Sequence, residues 1–221
     1  MEDLSYEQQA HDAGYALVCG VDEAGAGPLM GPVYAAAVIL PEKFELPGLN
    51  DSKKLTEKKR EALFLRIQQQ ALTWSVASVS AGEIDETDIL SARMKAMQLA
   101  IDGLAPRPDF ALIDGNRDHG KFASVTTPHR CIVGGDAHAA SIAAASILAK
   151  VSRDRYVTDV LDRAYPQYQF AKHKGYGTKL HYELLDQYGP CPEHRRSFLK
   201  KWDRELTAMP SCWAKSPSRI L

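Results

Sequence analysis

The stretch "GVDEAGAGPLMGPVYAAAVIL", Gly20 to Leu40, decides how the rest of the chain is read. With the residues just before it, it predicts two strands, Ala16–Asp22 and Val33–Leu40, joined by a glycine-rich loop. The second strand is a nearly continuous apolar run, which fits burial on both faces of a sheet. Between them Asp22 and Glu23 stand side by side and lead into Gly25, Gly27 and Gly31. Glycine loops commonly approach anions, whereas adjacent acids repel a phosphate. The pattern makes sense if the acids hold a cation and the cation draws the phosphate. In a regular strand Asp22 and Glu23 point to opposite faces. The glycines after them could let the chain turn so that both reach one site.

Outward from this stretch, Thr56 caps a helix that runs to about Gln70. Leu72–Ser80 alternates as a third strand. Leu90, Met94, Met97, Ile101 and Leu104 then recur at helical spacing, and Gly103 with Pro106 stops that helix. Asp109–Asp114 is a fourth strand and Arg130–Val133 a short fifth, and a long Ala- and Ser-rich helix begins near Ala139. After Pro166 a basic, aromatic loop ("QYQFAKHKGYGT") precedes one or two helices. Three strands close together, then strands separated by helices, predict an α/β fold with a mixed five-stranded sheet flanked by helices. Asp114 ends the fourth strand and Asp136 follows the fifth. Ligand sites gather at strand ends in such sheets. A cluster of carboxylates there needs a positive partner or protonation. Mg²⁺ is the simplest partner, held by one or two carboxylates and substrate phosphate. Two ions roughly 4 Å apart clamp both oxygens of an in-line phosphoryl displacement. On spacing alone, acids that merely cap turns or helices remain an equal reading.

"GVDEAGAGPLMGPVYAAAVIL", "LNDSKKL", "LIDGN", "GGDAHAASIAAASILAKVSRD" and "HKGYGT" occur in that order. Together they closely resemble the bacterial type 2 ribonuclease H family, ribonuclease HII, over about Cys19 to Phe198. The resemblance implies a ribonuclease-H-like fold and an endonuclease dependent on Mg²⁺ or Mn²⁺, with two ions when substrate is bound. It would cut RNA in RNA–DNA hybrid duplexes and nick DNA containing ribonucleotides, on their 5′ side, leaving 3′-hydroxyl and 5′-phosphate ends. It also implies that Asp22, Glu23, Asp114 and Asp136 are the catalytic, metal-binding acids. The family's Gly-Arg-Gly loop, which grips the backbone and the 2′-hydroxyl, falls on Gly25, Ala26 and Gly27. Tyr176 is expected against the sugar at the RNA–DNA junction, where the 2′-hydroxyl is the chemical handle. Ala26 lacks the planar fork of an arginine, so grip at the junction is expected to weaken while metal binding and chemistry persist. Lys53 is expected on phosphate. Lys150 and Arg153 fall in the family's helix segment. If that helix is continuous, Lys150 lies about 16 Å along it, which suits flanking-phosphate contacts for Lys150 and Arg153, and Asp154 reads as a surface acid paired with an arginine. Lys172, His173 and Lys174 face nucleic acid beside Tyr176.

Net charge is −1, but the halves differ: Lys150 onward carries 14 basic against 8 acidic residues, and the first 149 carry 13 against 20. A basic C-terminal part suits an anionic partner. Cys19, Cys131, Cys191 and Cys212 form no CxxC pair, which speaks against zinc and disulfides and fits a reducing cytosol. The polar N-terminus is no signal peptide, and no apolar run would span a bilayer. The expectation is a cytoplasmic monomer without membrane contact. Residues 1–166 read as the catalytic core and 167–221 as a basic loop and helical extension packed on it. A dinucleotide loop is disfavoured, since GxGxxxG followed by Pro28 and a strand is not GxGxxG opening a helix. A hybrid-binding family member weakened or inactivated through Ala26 is the second reading. The sister type 3 family differs in its loop.

Overall fold

The computed structural model describes residues 5–50 and 52–202. Strands β1 (Val18–Ala24) and β2 (Val33–Ile39) pair antiparallel, with Gly20 opposite Val38 and Ala24 opposite Tyr34. The edge strand β3 (Thr73–Val79) pairs antiparallel with β2. On the other side β4 (Phe110–Asp114) runs parallel to β1, and β5 (His129–Ile132) parallel to β4. The sheet is therefore mixed and five-stranded, in the order β3-β2-β1-β4-β5. β1 extends two residues beyond the sequence expectation. Glu23 and Ala24 stay in the ladder with β2, so the chain does not turn before Glu23.

Helix α1 (Tyr6–Asp12) precedes the sheet, and α2 (Glu57–Gln70) starts at Thr56, whose hydroxyl accepts from the Lys59 amide. Helix α3 (Ala81–Glu86) is too short to show a period and was not anticipated; Ser80 caps it by accepting from the Glu83 amide. Helix α4 (Ile89–Asp102) covers one face of the sheet, where Met94, Met97 and Ile101 pack against Cys19, Val21 and Ile113. Helix α5 (Ala140–Arg155) covers the other, where Ala144, Leu148 and Val151 meet Ala36, Val38 and α2. Its small residues let it ride close on β1. A Cβ on Gly20 would lie 2.1 Å from the Ser141 carbonyl carbon, so only glycine fits that crossing. α5 continues through a π-helical turn (Tyr156–Leu161) into α6 (Asp162–Ala164).

The expected loop after Pro166 is instead a 3₁₀ turn and a short helix, α7 (Phe170–His173). Burial is the cause: Tyr168 and Phe170 stack 5.1 Å apart in a core of their own. Helix α8 (Lys179–Tyr188) follows. This C-terminal core joins Phe170, Leu185 and Trp202 to Leu29, Met30, Val157 and Leu161, so it packs directly beneath the glycine loop. Cys212 and the end of the expected extension lie outside the described residues. Among the described residues no helix is long and apolar enough to cross a membrane.

Candidate active site

Parallel pairing of β1 with β4 places Val21 opposite Ile113, so Asp22 and Asp114 come next at the C-terminal ends of adjacent strands. Asp22 is buried, and burial, then the charges of Glu23 and Asp114, push its carboxyl well above the usual carboxylate range. Its oxygens are restrained. The Glu23 amide donates to Asp22 Oδ1 at 2.7 Å, and the Ser146 hydroxyl on α5 hydrogen-bonds to the same carboxyl. Asp114 Oδ1 accepts from the Gly135 amide at 2.7 Å. Gly135 opens the 3₁₀ turn Gly135–Ala137, which carries the buried Asp136 to the threshold of α5.

Glu23 follows the strand's alternation to the opposite face. There it meets Arg93 of α4, with Nη2 2.6 Å from Oε1. Glu23 Oε2 and Arg93 Nε are both buried without a hydrogen-bond partner. Among the described residues no three His, Cys, Asp or Glu side chains are gathered closely enough to hold a metal ion. Asp22 and Asp114 are brought together, Asp136 is tied to them through its turn, and Glu23, whose charge also bears on Asp22, is held by Arg93. Like charges in a buried site hold one another off, and alternation along β1 does the rest.

The glycine loop is fixed from below by two buried arginines. Gly25 has φ +90°, and a Cβ there would sit 2.1 Å from Arg153 Nε. Arg195 donates from Nη2 to Gly25 O (2.7 Å), from Nη1 to Ala26 O (3.0 Å) and Pro28 O (2.9 Å), and from Nε to Gly31 O (2.9 Å). Burial, then Arg153, pushes the Arg195 guanidinium down to about 9. Arg153 was expected on a flanking phosphate, but it is wholly buried and donates to Lys174 O at 3.1 Å. It braces the loop and cannot reach solvent.

Tyr176 lies over this loop, 43% exposed, with its Cε1 3.8 Å from where a Gly27 Cβ would be. Its backbone is held by His181, whose Nδ1 is 3.0 Å from Tyr176 O, and His181 Nε2 is 3.0 Å from His194 Nε2. Burial pushes His181 down to about 4 and His194 to about 3, so both are neutral at pH 7. Lys150 Nζ sits 5.9 Å from the Tyr176 ring centroid and 2.9 Å from Asp154 Oδ1. Asp154 thus pairs chiefly with Lys150 rather than with an arginine. Lys53 is exposed on the 3₁₀ turn Ser52–Lys54, whose Ser52 hydroxyl shares a 2.8 Å hydrogen bond with Ser146. That links the lysine turn to Asp22 through two hydroxyls.

Arg93, Arg195, Ser146 and the His181–His194 pair were missed from sequence. None has a spacing signal, because each partner lies far away along the chain.

A profile of the family Ribonuclease HII matches residues 19–202. A ribonuclease HII of Aliivibrio fischeri is 56% identical over 185 residues, covering 84% of this chain and 87% of that protein. Among solved structures, the ribonuclease H2 of Pyrococcus horikoshii OT3 superposes with a TM-score of 0.71 at 27% identity, covering 88% of this chain and all of that one. Bst ribonuclease HIII in complex with Mn²⁺ shares the fold, with a TM-score of 0.61 at 20% identity over 81% of this chain and 65% of that one.

Proposed function

The chain belongs to the ribonuclease HII family, the type 2 ribonucleases H, and on that premise we propose that this endonuclease of RNA–DNA hybrids also nicks DNA on the 5′ side of an embedded ribonucleotide. The observation that carries the reading is the buried Asp22 beside the half-buried Asp114 at the sheet's C-terminal edge, directly before the braced glycine loop. Two adjacent carboxylates in a buried site are costly alone. Glu23 Oε2 is a further carboxylate oxygen, buried without a hydrogen-bond partner. The donors are all carboxylate oxygens, the chemistry that a divalent cation held by one or two carboxylates and substrate phosphate requires.

We assign Asp22, Glu23, Asp114 and Asp136 to hold Mg²⁺ or Mn²⁺. When bound, such ions supply positive charge to the scissile phosphate and to the attacking and leaving oxygens. The other tasks fall to this chain's residues. Ser146 and the Glu23 and Gly135 amides orient the carboxylates. The backbone amides of Gly25 and Gly27 are assigned to the 2′-hydroxyl and the adjoining phosphate, and Tyr176 offers its ring to the sugar beside them. Lys53 and Lys150 are assigned to flanking phosphates, with binding that weakens as salt rises. We assign residues 1–166 to the catalytic core and 167–221 to the part that carries Tyr176. Action as a monomer in the cytoplasm is part of the same proposal.

A hybrid binder weakened through Ala26 draws little support. The loop's shape rests on Arg153 and Arg195 acting on backbone, so residue 26's side chain is not what forms it. The test is a labelled DNA duplex with one ribonucleotide, incubated with Mg²⁺ or Mn²⁺, beside an all-DNA duplex and an Asp114→Asn protein. A nick 5′ of the ribonucleotide, absent from both controls, is expected. Cutting of a long hybrid without that nick would refute the junction assignment. Binding without any cutting would restore the non-catalytic reading.

A further inference from the structure

Arg93 on α4 has no place in the reading so far. A guanidinium facing a carboxylate commonly makes two parallel bonds. Here it makes one, Nη2 to Glu23 Oε1 at 2.6 Å. The atoms that would complete a fork, Arg93 Nε and Glu23 Oε2, are both buried and unpartnered. Glu23 is therefore held by one oxygen, with the other left over. The Glu23 amide meanwhile donates to Asp22 Oδ1, so the two acids are also joined through the backbone.

We propose that Arg93 is a positioning residue for the catalytic cation: it anchors Glu23 by Oε1 and leaves Oε2 as the oxygen that takes the ion. This rests on Glu23 being a cation ligand. Groups that hydrogen-bond a ligating carboxylate fix its orientation, and their loss typically costs about 10- to 100-fold in metal affinity. Arg93's positive charge also opposes a nearby cation, so a competing role would give the opposite sign. The single bond, made where a fork was available, favours positioning over mere charge balance.

The experiment is calorimetric titration of the protein with Mn²⁺ alone, without nucleic acid, for wild type, Arg93→Gln, Arg93→Lys and Asp114→Asn. Arg93→Gln is expected to bind Mn²⁺ about 10- to 100-fold more weakly. Arg93→Lys should stay within about threefold of wild type, because one N–O bond needs only one charged donor. In nicking assays the half-saturating Mn²⁺ concentration should rise for Arg93→Gln while the rate at saturating Mn²⁺ changes much less. Arg93 is only partly buried, with 25% of its side chain exposed, and glutamine keeps part of its stem. If Arg93→Gln nevertheless melts early, Arg93→Lys decides, and a loss beyond tenfold there overturns the proposal. Equal or tighter Mn²⁺ binding by a folded Arg93→Gln overturns it too, leaving the assignment of the acids intact. A wild type that takes up no Mn²⁺ overturns both.

Discussion

Gly25→Ala tests whether the glycine loop is braced by Arg153. The new Cβ would lie 2.1 Å from Arg153 Nε and 2.3 Å from its Cδ. Ordinary contact begins near 3.4 Å, so the arginine must retreat by more than an ångström. It is wholly buried, and its Nη2 is committed to Lys174 O at 3.1 Å and, more weakly, to Met30 O at 3.4 Å. Losing one charged hydrogen bond costs about 1.5–3 kcal/mol. Holding alanine at φ +90° costs about 1–3 kcal/mol more. The sum, roughly 2.5–6 kcal/mol, is a large part of a typical domain's 5–15 kcal/mol. At about 2–4 °C per kcal/mol for a chain of this size, Tm should fall by about 5–24 °C. Calorimetry or urea titration reads this directly. Gly27→Ala is the internal control, because its Cβ meets only Tyr176 Cε1 at 3.8 Å, and it should cost less than about 1 kcal/mol. Adding Arg153→Ala to Gly25→Ala should cost less than the sum of the two single changes, since the clash goes with the arginine. A Gly25→Ala protein that melts within about 2 °C of wild type would refute the bracing.

Three further outcomes follow from the same geometry. Asp22→Asn should abolish nicking yet raise the Tm of the cation-free protein at pH 7. The raised folded pKa of Asp22 means its stability contribution is present below the unfolded value and lost as pH rises through the folded one; an unchanged or lower Tm would contradict this. Ala26→Arg should raise kcat/KM on a single-ribonucleotide duplex by about 10- to 150-fold, the worth of a charge-assisted hydrogen bond of roughly 1.5–3 kcal/mol, with less effect on long hybrids; equal values for the two forms would show that residue 26 is a bystander. His181 and His194 have folded values depressed to about 4 and about 3, so the stability they permit is present above about pH 6.5 and is lost as pH falls from there towards 3. At pH 5 each should cost about 2 kcal/mol, and a melting curve series that stays flat from pH 7 to pH 5 would count against the neutral pair.

Much of the fold could be read one residue at a time. α2 runs from Glu57, capped by Thr56, to Gln70 because a cap and a helical period are local signals. The five strands fall within two residues of expectation at both ends. α7 escaped because "QYQFAKHKGYGT" has turn residues and charge but no period; only the burial of Tyr168 and Phe170 against α8 and the glycine loop makes it helical.

For the site, the chain order of acids at strand ends and the resemblance carried by the quoted segments were enough to name Asp22, Glu23, Asp114 and Asp136 as candidates. Sequence by itself determined which segments form strands and helices, because apolar runs, caps and glycines act on their own neighbours. Which way those residues face, and what holds them, was decided only in three dimensions. β1 keeps its alternation through Glu23, so the two adjacent acids leave the strand on opposite sides, and Arg93 holds Glu23 by one oxygen. Arg153 reads from sequence as a phosphate contact, yet the C-terminal core buries it under Gly25. Arg195 reads as one more surface charge, yet it holds four carbonyls of a loop far away in the chain. Such pairings depend on how helices pack on the sheet, and sidedness across a sheet leaves no local trace in composition or spacing.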